Sequence, residues 1–318
     1  MKSFDLRSQI TESLLLSEKD VSRLIARAPH TYKKYTIKKK SGGIRWIAQP
    51  ARETKLIQRF LINNHFRSLP IHSCALAYVS GTSIRKNAEI HAGNAYISKF
   101  DFTNFFGSIT GKDVLTHLSI HLADQLSLPD LLDITRISCI ANPEQPLTLS
   151  IGAPSSPILS NTVMYEFDQL IHTWACAHDI SYSRYADDLT FSSNQKNIQQ
   201  RIEEQLLLTL AKIQYPRLSL NREKTIHASK KNGRRVTGVT ISTEGNISLG
   251  RDRKREISSL VHKYSLSCLS SSEIERTQGL LGYALDIEPL FVSRLRGKYG
   301  EKIVTALLRH RTQPIKEN

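Results

Sequence analysis

Asp101 closes a short apolar segment, Tyr96-Ile97-Ser98-Lys99-Phe100-Asp101, and Asp187-Asp188 stand as a pair between two β-prone stretches, Ile180 to Ala186 and Leu189 to Ser193. Asp is a common turn former, so each site alone reads as structure. If the strands pair, however, three carboxylates converge in a partly buried place and repel one another. A divalent cation removes that conflict. Mg²⁺ prefers hard oxygen ligands, takes one or two protein carboxylates and fills its shell with water and phosphate oxygens; Mn²⁺ is a possible substitute. Two such ions, roughly 3.5–4 Å apart, can activate an attacking hydroxyl and stabilise a departing pyrophosphate. Neighbouring strand residues point to opposite faces, so Asp187 and Asp188 contribute unequally. Asp101 and Asp187 rank as the main ligands, with Asp188 second.

The elements that must position these aspartates are readable from pattern. Tyr96 to Asp101 is a strand, and the segments flanking Asp187-Asp188, with Tyr182 and Phe191, are two strands meeting at an acidic tip. Between them, residues 112–140 are mostly helical, and Ile151 to Pro157 is a turn feeding a helix over 158–177. A helix over 197–212 and a strand near Leu218-Ser219-Leu220 follow. The order of strand, helix, strand-turn-strand, helix, strand matches a split βαβ, ferredoxin-like sheet. Upstream, 11–28 reads as a helix with caps at Thr11 and Ser17, stopped by Pro29. Tyr35 to Ile37 and Ile44 to Ala48 form a hairpin around Ser41-Gly42-Gly43, with Lys38, Lys39 and Lys40 at its tip. Glu53 to Phe66 is a helix burying Leu56, Ile57, Phe60 and Leu61. Downstream, Arg235 to Ser242 and Asn246 to Leu249 are strands, the chain from Arg251 to about 310 is helical, and Thr312 to Asn318 is a loose tail.

The chain of 318 residues is long enough for about two domains and a real core. Its 44 Lys and Arg outweigh 29 Asp and Glu, a formal charge of +15. Residues 33–45, 222–235, 251–255 and 294–311 hold 22 of those 44 cations in 50 positions. Clustering of this kind suits phosphate, because each neutralised phosphate releases a condensed counterion. No apolar run approaches a bilayer span, and Met1 to Asp5 do not read as a secretion signal, so neither membrane insertion nor export is expected and a cytoplasmic location is. Cys74, Cys139, Cys176 and Cys268 are far apart without a C-x-x-C pair, which reads as reduced thiols rather than a zinc site or disulfide frame.

The acidic pair belongs to a larger constellation. Tyr185-Ala186-Asp187-Asp188 resembles the Y-x-D-D box of reverse transcriptases. Phe100 to Phe106 resembles their first acidic motif, Gly152-Ala153-Pro154-Ser155-Ser156-Pro157 their template- and nucleotide-contacting turn, and Leu218-Ser219-Leu220-Asn221-x-x-Lys224 their lysine-bearing fourth motif. Asn87-Ala88-Glu89-Ile90-His91 matches the N-A-x-x-H box, and Val236-Thr237-Gly238 the V-T-G box, of the bacterial retron enzymes that make msDNA. The resemblance runs from about Ile44 into the helical C-terminus. One departure is Ile151, which stands before Gly152 where that family often has Gln.

The resemblance implies an α+β, right-hand polymerase fold. An N-terminal helical segment (1–30) precedes fingers (31–95 with part of 112–150), a ferredoxin-like, RRM-like palm (96–242) and a basic, RNA-binding helical thumb (243–318). It implies catalytic roles for Asp101, Asp187, Asp188 and Lys224, the lysine as proton donor to pyrophosphate. The incoming dNTP falls to Arg45, Lys39, Lys40, Phe102, Phe106, Gly152 and Ala153, with Phe106 as the bulky wall that excludes a ribose 2′-hydroxyl. Primer and template fall to Tyr185, Ala186, Ser155, Ser156 and Pro157. RNA contacts fall to Asn87, His91, Arg234, Arg235, Val236, Thr237, Gly238, Arg251, Arg253, Lys254, Arg255, Arg294, Arg296 and Lys298. The implied activity is RNA-directed DNA synthesis from a 2′-hydroxyl of the enzyme's own noncoding RNA (msr–msd), giving branched msDNA that works with a separate effector or toxin protein in phage defence. The alternatives are a catalytically silent RNA-binding scaffold or antitoxin, and an intron-type or diversity-generating reverse transcriptase.

Overall fold

The computed structural model describes residues 5–39 and 42–311. Lys40, Ser41 and the tail from Thr312 lie outside the described residues. Two helices, α1 (Leu6–Leu14) and α2 (Glu18–Arg27), stand where one was expected over 11–28. Ser17 caps α2 by accepting from the Asp20 N–H, as its spacing predicts, but Thr11 lies inside α1, which Asp5 caps instead. The break falls at Leu15, whose φ of 53° is left-handed. The hairpin of β1 (Tyr32–Lys38) and β2 (Ile44–Pro50) is antiparallel, in register from Tyr32↔Pro50 to Lys38↔Ile44. Gly42 and Gly43 turn its tip with φ of 86° and 81°, values that a residue without Cβ adopts at no steric cost. Helix α3 (Arg52–Asn64) buries Ile57 and Leu61, but Leu56 is exposed; Thr54 and Gln58 complete the inner face.

The chain continues through α4 (Ile84–Ala92), β3 (Tyr96–Asp101), α5 (Phe105–Ser108), α6 (Gly111–Leu122), α7 (Leu128–Ser138), β4 (Ile140–Asn142) and β5 (Gln145–Thr148). Helices α8 (Ser156–Val163) and α9 (Tyr165–Cys176) replace the single helix expected over 158–177. Then come β6 (Ser181–Tyr185), β7 (Asp188–Ser193), α10 (Gln199–Lys212) and β8 (Ile226–Ser229). The segment Leu218 to Leu220 is extended without being a strand: only Leu220 bridges, to Phe102. The expected strand from Arg235 to Ser242 is a hairpin, β9 (Arg234–Val236) and β10 (Val239–Ile241), with Thr237-Gly238 as its turn, and β11 (Ile247–Ser248) pairs with β10. Helices α11 (Arg251–Ser265), α12 (Ser271–Ile287), α13 (Pro289–Tyr299) and α14 (Glu301–Arg309) follow.

A four-stranded sheet has the order β6-β7-β3-β8. Numbered by their own succession these strands run second, third, first, fourth, the arrangement of a ferredoxin-like β-α-β-β-α-β unit. The chain divides into two compact units. The first takes the chain through Thr82, then Ser98–Phe191 and Asn197–His227; the second takes Ser83–Ile97, Ser192–Lys196 and the chain from Ala228 onward. Each has its own core. The first packs Phe100, Phe102, Phe105, Phe167 and Phe191 with aliphatic residues of α1–α3 and α6–α10. The second packs Val236, Val239 and Ile241 against Ile257, Leu281, Val292 and Val304. Burying each such side chain contributes about 1.5–3 kcal/mol. Among the described residues, no helix is long and apolar enough to cross a membrane.

Candidate active site

Successive side chains of β3 point to opposite faces, which decides what each face presents. Phe100 is buried and meets Phe191 and His227 edge-on, with ring centroids 5.9 Å apart in both pairs. Lys99 and Asp101, two residues apart, therefore share the other face. Strands β6 and β7 are joined by Ala186-Asp187 alone, and Tyr182 stacks on Phe191 across them at 4.8 Å. Ala186 has a φ of 58°, the left-handed region that a two-residue hairpin turn demands. The backbone then ties the pieces together. The Phe102 N–H donates to the Asp187 carbonyl at 3.3 Å, the Asn221 N–H to the Asp101 carbonyl at 2.7 Å, and the Thr103 N–H to the Ser219 carbonyl at 2.9 Å.

Asp101, Asp187 and Asp188 thus converge although 86 positions separate the first two. Burial raises the Asp187 carboxyl above its ordinary range, and Asp101 raises it further against the opposing pull of Lys224 and Arg45. Burial likewise pushes Asp188 up to about 6, with Lys99 opposing and Asp187 and Asp101 adding to the rise. The Lys224 ammonium donates to Asp101 Oδ1 at 2.7 Å. Among the described residues no three His, Cys, Asp or Glu side chains are arranged to hold a metal by themselves. An Mg²⁺ ion does not need three, since water and phosphate oxygens complete its shell. Carboxylates that disfavour one another's charge while facing cationic side chains suit such an ion.

Two residues absent from the sequence reading belong to this neighbourhood. Lys99 had a signal, its two-residue offset from Asp101. Tyr78 had none: its phenol is pushed up by burial and then by Asp187 and Tyr185, with Arg45 opposing, so Arg45, on exposed β2, also acts in the field of Asp187.

Residues 37–241 match the model of the family described as reverse transcriptase (RNA-dependent DNA polymerase). The chain belongs to that family. It is 39% identical over 296 residues to the retron Ec83 reverse transcriptase of Escherichia coli, covering 92% of this chain and 94% of that one. The retron Ec73 and Ec86 reverse transcriptases of the same organism are 32% and 30% identical, over 92% of this chain in each case and 95% and 90% of theirs. The chain is therefore a retron-type reverse transcriptase and an RNA-directed DNA polymerase, and its family generally uses divalent metal ions.

In this reverse transcriptase the turn after β5 packs on β2. The Ala48 N–H donates to the Ile151 carbonyl at 2.8 Å, and a Cβ on Gly152 (φ 115°) would meet the Ala48 carbonyl oxygen at 3.0 Å. Ile151 and Gly152 form the exposed part of the turn. Ala153, Ser155 and Ser156 are buried rather than exposed for the nucleotide and template contacts expected of them, and the Ser156 hydroxyl accepts from the Ser150 N–H at 3.3 Å. Pro157, at the start of α8, and Tyr185 are half-buried, and the Ala186 side chain is buried. Phe102 is corrected as well. It is 1% exposed and stacks on Phe105, centroids 5.7 Å apart, inside the core. Phe106 faces outward into a cavity of about 350 Å³, lined also by Trp46, Ile47, Asn104, Ser150 and Ile151. Lys39 is exposed at the hairpin tip, and Lys40 lies outside the described residues.

The two retron boxes meet. Asn87 and His91, one turn apart on α4, are both fully buried. The Asn87 amide donates to Thr237 Oγ1 at 3.4 Å, and the Thr237 hydroxyl to the Ile84 carbonyl at 3.4 Å. His91 Nδ1 lies 2.7 Å from Ser192 Oγ, and burial holds its pKa near 3. Asn87, His91 and Val236 are thus turned into the fold rather than exposed for the RNA contacts expected of them. Arg234 is turned inward as well: it is 1% exposed and donates to the carbonyls of Ala92, Asn94 and Ser242. Four expected RNA contacts are engaged with acids: Arg253 with Glu256 at 2.7 Å, Lys254 with Glu288 at 2.7 Å, Arg294 with Glu288 at 3.0 Å and Arg296 with Glu301 at 3.4 Å. Arg235, Gly238, Arg251, Arg255 and Lys298 are exposed and Thr237 is half-exposed.

Proposed function

We propose that the enzyme extends a 2′-hydroxyl of its own structured noncoding RNA (msr–msd) with dNTPs, producing branched msDNA. The convergence of Asp101, Asp187 and Asp188 with Lys224 carries this reading. The primer hydroxyl gives up its proton to water as its oxygen bonds to the α-phosphorus of the dNTP, and the bond from that phosphorus to the β-phosphate oxygen breaks. Asp101 and Asp187 would be the main holders of two Mg²⁺ ions, with Asp188 beside them. Such ions, when bound, lower the pKa of the attacking hydroxyl and offset charge on the departing pyrophosphate. Lys224, hydrogen-bonded to Asp101, gives pyrophosphate its proton. Arg45, and Lys39 further out, meet the triphosphate, and Phe106 stands where a ribose 2′-hydroxyl would clash. After an N-terminal helical segment (1–30), residues 31–95 with part of 112–150 act as fingers, 96–242 as palm and 243–318 as thumb.

The exposed cations Arg235, Arg251, Arg255 and Lys298 face RNA phosphates. The RNA–DNA product acts in the cytoplasm with a separate effector protein in defence against phage. Replacing Asp187 with Asn tests the core of this. Incorporation should fall on the order of a thousandfold, as when charge-stabilising groups are removed from a reacting centre, while RNA affinity stays within about twofold because Asp187 touches no RNA-facing cation. Undiminished synthesis by Asp187→Asn would remove the acidic turn from the reaction. A purified protein that brings no covalent RNA–DNA species from cells would remove msDNA synthesis.

A further inference from the structure

One buried charge in the first unit sits directly behind the acidic turn. Arg184 on β6 and Asp168 on α9 are both fully buried. The guanidinium grips the carboxylate by Nη2 to Oδ2 at 2.5 Å and by Nε to Oδ1 and Oδ2 at 2.9 and 3.1 Å. The Tyr182 hydroxyl donates to Asp168 Oδ1 at 2.9 Å. The remaining nitrogen, Nη1, donates to Asn161 Oδ1 at 3.0 Å and to the carbonyl of Ala186 at 3.2 Å. Asn161 is itself fixed by donating to the Ala77 carbonyl at 2.7 Å. The desolvation of a buried ion pair offsets most of its Coulombic gain, and well-packed apolar residues often stabilise a fold as well. Stability alone is thus a weak account of an arginine at this position.

An apolar side chain could not reach the Ala186 carbonyl. Ala186 holds a φ of 58°, a region that a residue with a Cβ enters at a cost, and its backbone aims Asp187 and Asp188. We propose that Arg184 is a positioning residue: Asp168 and Asn161 orient its guanidinium, which pins the Ala186 carbonyl and so fixes the direction of the acidic turn. The inference rests on the reading of Asp101, Asp187 and Asp188 as the reacting carboxylates.

The test uses the full chain with its RNA and measures single-dNTP incorporation, dNTP KM, RNA affinity and melting temperature. Arg184→Lys keeps a cation for Asp168 but loses the fork that reaches Ala186, and it is read in two backgrounds, wild type and Ala186→Gly. In the wild-type background kcat should fall about tenfold to a hundredfold, the scale of an ångström-sized misplacement of a catalytic group, with dNTP KM and RNA affinity within about twofold. Glycine enters the left-handed region without that cost, so in the Ala186→Gly background the same substitution should cost severalfold less. Equal losses in both backgrounds, or a lower melting temperature with unchanged kcat, overturn the proposal. If Arg184→Lys does not fold, Asn161→Ala, which keeps the ion pair and removes the acceptor that orients Nη1, is read in the same two backgrounds against the same outcomes. Asp187→Asn, measured alongside, separates the two claims. If it leaves synthesis intact the catalytic reading fails; if it abolishes synthesis while the Arg184 losses are equal, only the positioning role fails.

Discussion

In the absence of divalent ions the acidic cluster should make the fold respond to pH in an unusual direction. The Asp188 carboxyl is pushed up to about 6, by burial first. In an unfolded chain the same group titrates near 3.9. Between those values the folded protein holds a proton that the unfolded chain has released. This contribution is therefore fully present below about pH 4 and lost as pH rises through about 6. At 1.36 kcal/mol per unit the loss is at most about 3 kcal/mol, and sharing of the proton with Asp101 makes roughly 1–3 kcal/mol the range to expect.

Other groups pull the opposite way over the same interval. Burial holds His91 and His117 near 3, so their contributions are lost as pH falls below about 6.5. The quantity to measure is thus a difference: the unfolding free energy of wild type minus that of Asp188→Asn, from urea melts between pH 4 and 7 in chelator. That difference should fall with pH. Repeating the melts in excess Mg²⁺ should flatten it, because a cation that favours the ionised carboxylates replaces the proton. A difference that rises with pH, or that Mg²⁺ leaves unaltered, would refute the picture of three carboxylates in mutual conflict.

Phe106→Ala should raise the ratio of kcat/KM for rNTP over dNTP by about tenfold or more, the scale on which a pocket wall discriminates; an unchanged ratio removes Phe106 from sugar selection. Arg234→Met should cost about 2–4 kcal/mol in chemical melts, since the carbonyls of Ala92, Asn94 and Ser242 lose a buried charged donor, and a neutral result would mean water replaces it. Arg235→Ala and Arg255→Ala should leave melting unchanged. Each should lower the slope of log affinity for RNA against log salt by about one, whereas a wild-type affinity insensitive to salt between about 50 and 200 mM would show the basic windows to be solubility features.

Much of this arrangement was legible because period and punctuation are local. A short run ending in Asp marked β3 at Tyr96–Asp101, the Gly-Gly turn marked the first hairpin, and the order of elements carried the ferredoxin-like sheet. What escaped was non-local. The aromatic run Phe102, Phe105, Phe106 says that rings cluster, but only packing decides that two of them stack inside and the third faces the cavity. Leu218-Ser219-Leu220 looks like a strand, yet a strand needs a continuous ladder and this segment makes an isolated bridge, Leu220 to Phe102. Arg234 sits in a charge-rich window and invites an RNA role, because its carbonyl partners lie up to 142 positions away. Arg184 and Asp168 are 16 apart on different elements, a spacing that no helical or strand periodicity brings together.

The buried boxes change what their presence in a sequence means. Asn87, His91 and Thr237 are polar, and polar motifs near an RNA enzyme suggest RNA readout. Here Asn87 donates to Thr237, Thr237 to the backbone of α4, and His91 pairs with Ser192. Thr237 and Gly238 both have positive φ, 46° and 84°, the pair of conformations that a two-residue hairpin turn between β9 and β10 requires. A buried polar side chain stays only where its bonds are made, so these residues specify how α4 seats on that hairpin. On β9 the alternation that turns Arg234 and Val236 inward turns Arg235 outward. The joint therefore sets the direction in which Arg235 is presented.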